Sequence, residues 1–224
     1  MLLSPAFVPS PGIVLLVLLR TFLQTGLFII AHDAMHQSLM PRHRSLNHRI
    51  GMLALQFYAC LPYGQCRQNH IRHHQAPAQS GDPDYHDGHH PDPIRWYIRF
   101  MGGYLSWRQL LALLCCWALT ASLLLPFTAT ILERILLFWV LPLLLSSIQL
   151  FVFGTYLPHR GSSSDDASGR VTSTSLPPLL SLLSCYHFGY HWEHHAFPAT
   201  PWFALPVLRR RECPVFSRPV QAQR

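Results

Sequence analysis

Residues 13–36 read IVLLVLLRTFLQTGLFIIAHDAMH, an apolar run that passes directly into a pair of histidines. As a helix, the apolar part, residues 13–30, would be about 27 Å long, which is close to the hydrocarbon thickness of a bilayer. Arg20 near its middle costs roughly 2.5–3.5 kcal/mol on insertion, but the surrounding aliphatic and phenylalanine side chains outweigh that cost. No small-residue cleavage site follows, so the stretch predicts a transmembrane helix rather than a signal peptide.

The rest of the chain has the same apolar character. Half of its 224 residues are hydrophobic and only 12% are charged, whereas a soluble domain carries about 25% charged residues. Residues 110–127 and 135–157 are uncharged and long enough to span a membrane, while the apolar runs 50–62 and 179–186 are too short. We therefore expect an all-α, polytopic membrane protein with about three transmembrane helices and short interfacial or re-entrant helices. We expect one integral-membrane domain over residues 1–224.

Charge and cysteine content exclude other classes and suggest an orientation. The net charge of +7 comes from arginine alone, and the arginines flank the apolar runs, which indicates membrane topology rather than nucleic-acid binding. The six cysteines form no CxxC pair, so free thiols are expected rather than a disulfide scaffold. If residues 50–62 do not cross the membrane, all histidine clusters lie on the arginine-rich side. The positive-inside rule then makes that side cytoplasmic.

The chain has 15 histidines against 10 carboxylates, and most of the histidines are clustered. His32 and His36 are four residues apart, a spacing that places two side chains on one face of a helix. Two further clusters of the form HxxHH begin at His70 and His191, and His187 precedes the last one at helical spacing, so that it would extend a continuous stripe. One isolated pair would more often make ordinary hydrogen bonds. Three clusters on one membrane face predict metal binding, because neutral imidazole is a common transition-metal ligand.

The number of histidines also limits the kind of metal site. Eight or nine imidazoles exceed the four ligands of one tetrahedral zinc ion, so they favour two metals with open coordination positions, a situation that suits redox chemistry. Neither a GxGxxG motif nor a P-loop is present, and no bound dinucleotide is expected. From the residues alone, the prediction is two transition metals near a membrane surface.

Longer motifs make the prediction more specific. HDAMH at 32–36, HIRHH at 70–74 and HWEHH at 191–195 are similar to the three histidine boxes of the membrane-bound di-iron fatty acid desaturase and hydroxylase superfamily. The segments between and around the boxes are DPDYHDG at 82–88, SSIQLF at 146–151, FGTYLPHR at 153–160, YHFGYHWEHH at 186–195 and PWFALP at 201–206. In this order, from about residue 20 to about residue 210, they resemble bacterial β-carotene ketolases.

The resemblance implies which residues would bind two iron ions. The eight ligands carried over from the boxes are His32, His36, His70, His73, His74, His191, His194 and His195. For a ninth ligand, His159 at the end of the last apolar run is our first choice, and His187 is the second. Residues expected to support the ligands by hydrogen bonds are His187, His86, Asp33, Asp82, Asp84 and Glu193, although a solvated turn is the alternative for Asp82 and Asp84. His43, His48, His89 and His90 lie in polar loops and are expected to bind no metal.

The resemblance also implies a reaction and its partners. The expected reaction introduces keto groups at C4 (4 and 4′) of the β-ionone rings of β-carotene and related carotenoids, with O2 and two external electrons, by two hydroxylations at one carbon followed by loss of water. The expected substrate is dissolved in the bilayer, the electron donor is reduced ferredoxin or a similar carrier, and the location is a bacterial-type inner membrane. A carotenoid hydroxylase or a fatty acyl desaturase on the same scaffold is the alternative. A non-enzymatic metal transporter is disfavoured, because residues 110–127 and 135–157 offer no ionisable side chain except cysteine thiols.

Overall fold

The computed structural model of the protein describes residues 11–86, 92–127, 129–161 and 171–212, and every regular element within these ranges is helical. In chain order the helices are α1 (Pro11–Met35), α2 (Arg44–Ala59), α3 (Tyr63–Gln75), α4 (Pro93–Tyr104), α5 (Trp107–Leu124), α6 (Ile131–His159), α7 (Pro178–Cys185), α8 (His191–Ala196) and α9 (Leu205–Glu212). Three of them, α1, α5 and α6, are long and apolar enough to cross a membrane. The expected all-α fold with three candidate spans is therefore confirmed.

Helix α2 runs back along the second half of α1. The side chain of Gln24 donates a hydrogen bond to the carbonyl of Tyr58, and Asn47 Nδ2 donates to the carbonyl of Ala34 at 2.7 Å. Because these contacts lie at opposite ends of the pair, the two helices are antiparallel. Gly51 permits their close approach, since a Cβ at this position would lie 2.8 Å from the Cβ of Ala34. Helix α2 thus reaches only the level of Gln24, about halfway along α1, and it is too short to be a candidate span.

Helix α6 stays continuous through two prolines because it widens before each of them. Five-residue π-helical segments, Leu136–Val140 and Val152–Tyr156, end two residues before Pro142 and Pro158. Proline has no backbone N–H, and its ring collides with the carbonyl four residues earlier in a regular α-helix. The wider π turn relieves that collision, and such turns are frequent at functional sites.

Buried hydrogen bonds hold α1 against α6. Thr25 Oγ1 lies 2.9 Å from Ser146 Oγ and 2.6 Å from Gln149 Oε1. Polar contacts of this kind stabilise helix association in a bilayer, where lipid removes the hydrophobic driving force between helices. The two helices run in the same direction from this contact, so that their last turns, which carry His32 and His159, lie at the same end of the molecule.

Helix α5 contributes little to the protein interior. Leu113 is its one buried residue, while leucines such as Leu119 and Leu123 are about 60% exposed. An exposed row of apolar side chains marks contact with a membrane or with a partner. Because the length and composition of α5 fit a membrane span, we assign its exposed leucines to contact with lipid.

Candidate metal centre

The first histidine box lies at the end of α1. His32 is in the last turn, and His36 follows Met35, where Gln37 adopts a left-handed conformation (φ 60°) and the helix stops. The ring centroids of His32 and His36 are 5.1 Å apart. The i, i+4 spacing therefore aims both imidazoles to the same side, as the sequence predicts.

The second box lies in the last two turns of α3. Cys60, in the left-handed region (φ 54°), ends α2, and Pro62 precedes the first turn of α3, so the chain reverses within a few residues. His70 and His74 share one face of α3, whereas His73 is rotated about 100° from His74 around the helix axis. The three imidazoles of this box thus point in two directions.

The third box occupies α8, which has only six residues. Tyr186 and His187 both have left-handed backbones, with φ of 48° and 63°, and they separate α7 from α8. The expectation of one helical stripe from His187 to His195 is therefore wrong. The ring of His187 instead stacks against that of Tyr190, with 5.6 Å between centroids.

Nine histidines converge into two groups, in each of which one nitrogen per residue lies within 4.8 Å of all the others. The first group consists of His32, His36, His70, His74 and His194. The second group consists of His73, His159, His191 and His195. In both HxxHH boxes the i, i+4 pair joins one group and the remaining histidine joins the other. His159 thus lies inside a group and His187 lies outside both.

The spacing of the ring nitrogens fits metal ligation. Three pairs of Nε2 atoms are separated by 2.9 Å for His74 and His194, 3.1 Å for His73 and His195, and 3.0 Å for His191 and His195. Two nitrogens that are bound about 2.1 Å from one metal at a right angle lie about 3.0 Å apart. His32 Nε2 and both ring nitrogens of His159 are buried and have no hydrogen-bond partner among the described residues. Buried polar atoms normally have a partner, and a bound metal would provide one for His32 Nε2 and for one of the two nitrogens of His159.

Burial also keeps the imidazoles in the form that binds metal. It lowers the pKa of His36 to about 4 and the pKa of His74 to about 2, with neighbouring positive charges acting in the same direction. Burial lowers the pKa of His194 and of His195 well below the usual value. These histidines are therefore neutral at physiological pH, as ligation requires.

Asp82 orients one of the candidate ligands. The Nδ1–H of His73 donates to Asp82 Oδ2 at 2.9 Å, which leaves His73 Nε2 directed at the second group. Backbone N–H groups of Ala78 and Asp84 hold the same carboxylate at 2.8 and 2.9 Å. Burial by itself lowers the pKa of His73, but the hydrogen bond to Asp82 and the nearby carboxylate charges outweigh burial and raise it. A carboxylate that fixes the second nitrogen of a histidine is typical of metal sites.

The carboxylates within the other two boxes have different partners. Glu193 is fully buried and accepts hydrogen bonds from Arg209, at 2.7 Å, and from the hydroxyl of Ser173. Asp33 Oδ2 accepts from the backbone N–H of Trp202 at 3.2 Å. Through Arg209 and Trp202, both side chains thereby attach the C-terminal segment to the histidine boxes. The other oxygen of Asp33, Oδ1, lies 3.7 Å from His32 Nδ1, which is beyond a hydrogen bond.

The remaining histidines lie away from the two groups or outside the described residues. His86 packs its ring against a tyrosine and a tryptophan, with centroids 3.9 and 4.8 Å away. His48 Nδ1 is hydrogen-bonded to a tyrosine hydroxyl at 2.9 Å, and His43 is exposed at the start of α2. His89 and His90 are not among the described residues.

A cavity of about 210 Å³ lies against both histidine groups. Its polar end includes four of the nine clustered histidines and the carboxyl group of Asp84, whose pKa burial raises to about 6. Most of its remaining lining consists of apolar side chains from α1, α2, α4, α5 and α6. Leu110 and Leu144 line this apolar part and are 45% and 49% exposed, so the cavity reaches the surface between two membrane-spanning helices. The arrangement can bring an apolar molecule from the bilayer to a metal centre.

Some functional residues gave no signal in the sequence. The ring of Phe188 lies 4.7 Å from that of His32 and 5.7 Å from that of His191, so it packs against candidate ligands of both groups and lines the cavity. Gly154 makes room for this ring, since a Cβ there would lie 2.2 Å from it. An isolated glycine in an apolar run shows that something approaches closely, but it does not show what.

Comparison with known proteins agrees with this arrangement. The family model described as fatty acid desaturase matches residues 9–222. A β-carotene ketolase of Paracoccus sp. (strain N81106 / MBIC 01143) is 42% identical over 200 residues, which cover 85% of this chain and 76% of the relative. A β-carotene 4-ketolase of Protosiphon botryoides is 42% identical over 91% of this chain and 53% of the relative.

A zeaxanthin 4-ketolase of Chlamydomonas reinhardtii is 38% identical over 84% of this chain and 42% of its own length. This chain thus spans about half the length of the two algal relatives and most of the bacterial one. No solved structure matches the chain. Since the family model covers nearly the whole chain and the bacterial relative covers most of it, the protein belongs to the fatty acid desaturase family.

Proposed function

We propose that this protein is a membrane-bound oxygenase that converts the C4 methylene of the β-ionone rings of β-carotene and related carotenoids into a ketone. The observation that carries the proposal is the apolar cavity, which ends at clustered histidines and opens between α5 and α6. A ring of this hydrocarbon offers no polar group, so it must be recognised by shape in an apolar pocket beside the oxidising centre. The identity to relatives named β-carotene ketolase supports the assignment.

The two histidine groups would hold two iron ions, one in each. The proposed ligands are His32, His36, His70, His74 and His194 for the first iron, and His73, His159, His191 and His195 for the second. When bound, the iron pair would supply the activation of O2 that cleavage of an unactivated C–H bond requires. Burial favours the neutral form of His36, His74, His194 and His195, Asp82 orients His73, and the apolar cavity excludes water.

The proposed reaction balances over two oxidations. In each one, O2, two electrons and two protons insert one oxygen atom at C4 and release one water. The methylene becomes an alcohol and then a geminal diol, which loses a further water to leave the ketone. The cavity is small compared with the pockets of about 300–1,000 Å³ that enclose drug-sized ligands. It therefore takes one ring end, and the polyene extends through the opening toward lipid.

The electrons would come from a separate carrier such as reduced ferredoxin. Arginines on the same side as the histidines are exposed and suit an acidic partner, namely Arg42, Arg44, Arg49, Arg72, Arg95, Arg99, Arg160, Arg210 and Arg211. The same excess of positive charge supports a cytoplasmic orientation of this face in a bacterial-type inner membrane. We propose that residues 1–224 act as one integral-membrane domain.

Expression in a host that accumulates β-carotene tests the function directly. Extracted carotenoids should contain 4-keto products, and they should be absent when the chain carries His73→Ala. An alcohol as the final product would indicate a hydroxylase, and a new C=C bond would indicate a desaturase. Unchanged carotenoids in cells with correctly inserted, iron-loaded protein would contradict carotenoid oxidation altogether.

A further inference from the structure

Asp84 is held rigidly in the wall of the cavity. Its backbone N–H donates to Asp82 Oδ1 at 2.9 Å, and its carbonyl accepts from the indole N–H of Trp96 at 2.8 Å. Its side-chain Oδ1 accepts from the hydroxyl of Tyr104 at 2.6 Å. Three contacts from three different residues thus fix both the backbone and the carboxyl plane.

Within the described part of the chain, hydrogen bonds engage only one of the two carboxyl oxygens of Asp84. Asp84 is only 7% exposed and lines the cavity together with His73, yet its Oδ2 accepts no hydrogen bond from the described residues. Oδ2 is not among the fully buried side-chain atoms that lack a partner, so it keeps some accessible surface on a side chain that borders the cavity. A donor carried by the molecule in the cavity would satisfy it.

The proposed reaction provides such a donor only after its first half. The starting ring methylene has no hydrogen-bonding group, whereas the alcohol formed from it has an O–H at the carbon that must react again. An enzyme that stops at the alcohol has to release this molecule, but one that makes a ketone has to retain it with the remaining C4–H directed at the metal centre.

We infer, on the basis of the proposed function, that Asp84 Oδ2 binds the hydroxyl group of the alcohol intermediate and retains it for the second oxidation. The backbone N–H of Asp84 is linked to the candidate iron ligand His73 by two hydrogen bonds that share the Asp82 carboxylate, so the position of Asp84 relative to the metal centre is set by the same short loop. Asp84 thereby decides between alcohol and ketone as the product.

Product ratios in variants test this inference. In Asp84→Ala, the ratio of 4-hydroxy to 4-keto carotenoid should rise about ten- to a hundredfold, the range expected for loss of a hydrogen bond to a charged group. Asp84→Asn keeps the size and one acceptor oxygen and should give a smaller rise. Tyr104→Phe removes the contact that fixes Oδ1 and should shift the ratio in the same direction. Asp92→Asn is the matched control, because Asp92 is an exposed helix cap that asparagine replaces well, and it should leave the ratio unchanged.

Iron content and a second substrate separate the possible failures. Supplied with the 4-hydroxy carotenoid, Asp84→Ala should oxidise it more slowly by a larger factor than it oxidises β-carotene, with iron content as in the unaltered protein. An unchanged product ratio in Asp84→Ala and Asp84→Asn would overturn the inference while leaving ketone formation by the unaltered protein intact. Loss of iron in Asp84→Asn, or equal loss of alcohol and ketone with iron retained, would also overturn it. If the unaltered protein forms no ketone, it is the proposed function that fails.

Discussion

His159 and His187 both precede the third box and both follow an apolar run, so the sequence offers either one as a ninth ligand. Their backbones separate them. His159 ends a long helix whose last turn, after a π-helical segment, is directed into the second histidine group. His187 lies in a left-handed turn and stacks with Tyr190, so its ring is turned away from both groups.

Removing His159 should therefore reduce iron binding, and removing His187 should not. His159→Ala leaves three candidate ligands in the second group, so the iron content of anaerobically purified protein should fall by about half and ketone formation should be lost. His187→Ala should retain its iron and part of its activity. Iron lost from His187→Ala but retained in His159→Ala would reverse the assignment of the ninth ligand.

Asp82 offers a second test at the scale of one residue. Both of its oxygens accept hydrogen bonds, so Asp82→Asn places an amide NH2 against a donor, either His73 Nδ1 or a backbone N–H. The affinity of the second group for metal should fall about 10–100-fold, as for other carboxylates that orient a histidine ligand. The measurement is the chelator concentration that removes half of the iron. Equal chelator sensitivity of the variant and the unaltered protein would contradict the role of Asp82.

At the scale of elements, α6 combines the functions of a membrane span and of a wall of the site. Its second π-helical segment contains Gly154, whose missing side chain leaves space for the ring of Phe188. That ring in turn packs against His32 and His191, which belong to different histidine groups. The absence of a side chain at Gly154 on α6 thus allows Phe188 to pack against both groups.

Gly154→Ala should lower stability by about 1–3 kcal/mol, because the added methyl group would overlap the ring of Phe188 and force it toward the histidines. The expected observations are a lower midpoint of thermal unfolding in detergent and weaker iron retention. Gly102→Ala in α4 is the control, since a Cβ there meets no atom within 4 Å, and alanine favours a helix over glycine by up to about 1 kcal/mol. Similar midpoints for the two variants would show that the contact between Gly154 and Phe188 is not tight.

At the scale of the whole molecule, convergence of the three boxes requires that all of them lie at one end of the helical bundle. Single cysteines in a background without the native cysteines can test which side of the membrane that is. Ser45→Cys and Ser80→Cys should react with an impermeant maleimide only from the cytoplasmic side, and Glu133→Cys only from the other side. All three positions are exposed in the structure. Labelling of positions 45 and 80 from opposite sides would mean that α2 or α3 crosses the membrane.

Local patterns in the sequence were enough to predict the elements. The spans follow from uninterrupted apolar length, and the structure confirms three of them, at Pro11–Met35, Trp107–Leu124 and Ile131–His159. The spacing of His32 and His36 predicts a shared helix face, because it depends only on the helical repeat. The stripe through His187 was predicted wrongly, since the left-handed turn that interrupts it is stabilised by contacts with distant residues, such as the hydrogen bond from the Tyr186 hydroxyl to the carbonyl of Phe22.

By itself, the sequence determined the membrane class, the number of candidate spans and the residue types of a histidine-rich metal site, because these properties depend on composition and on spacing along one helix. Only the tertiary structure decided how the histidines divide into a group of five and a group of four. That division depends on how α3 and α8 face each other across the site, and no spacing within either helix records it. The same holds for Asp84, which the sequence places beside Asp82 in one short loop. Folding directs Asp82 to a candidate ligand and Asp84 into the cavity.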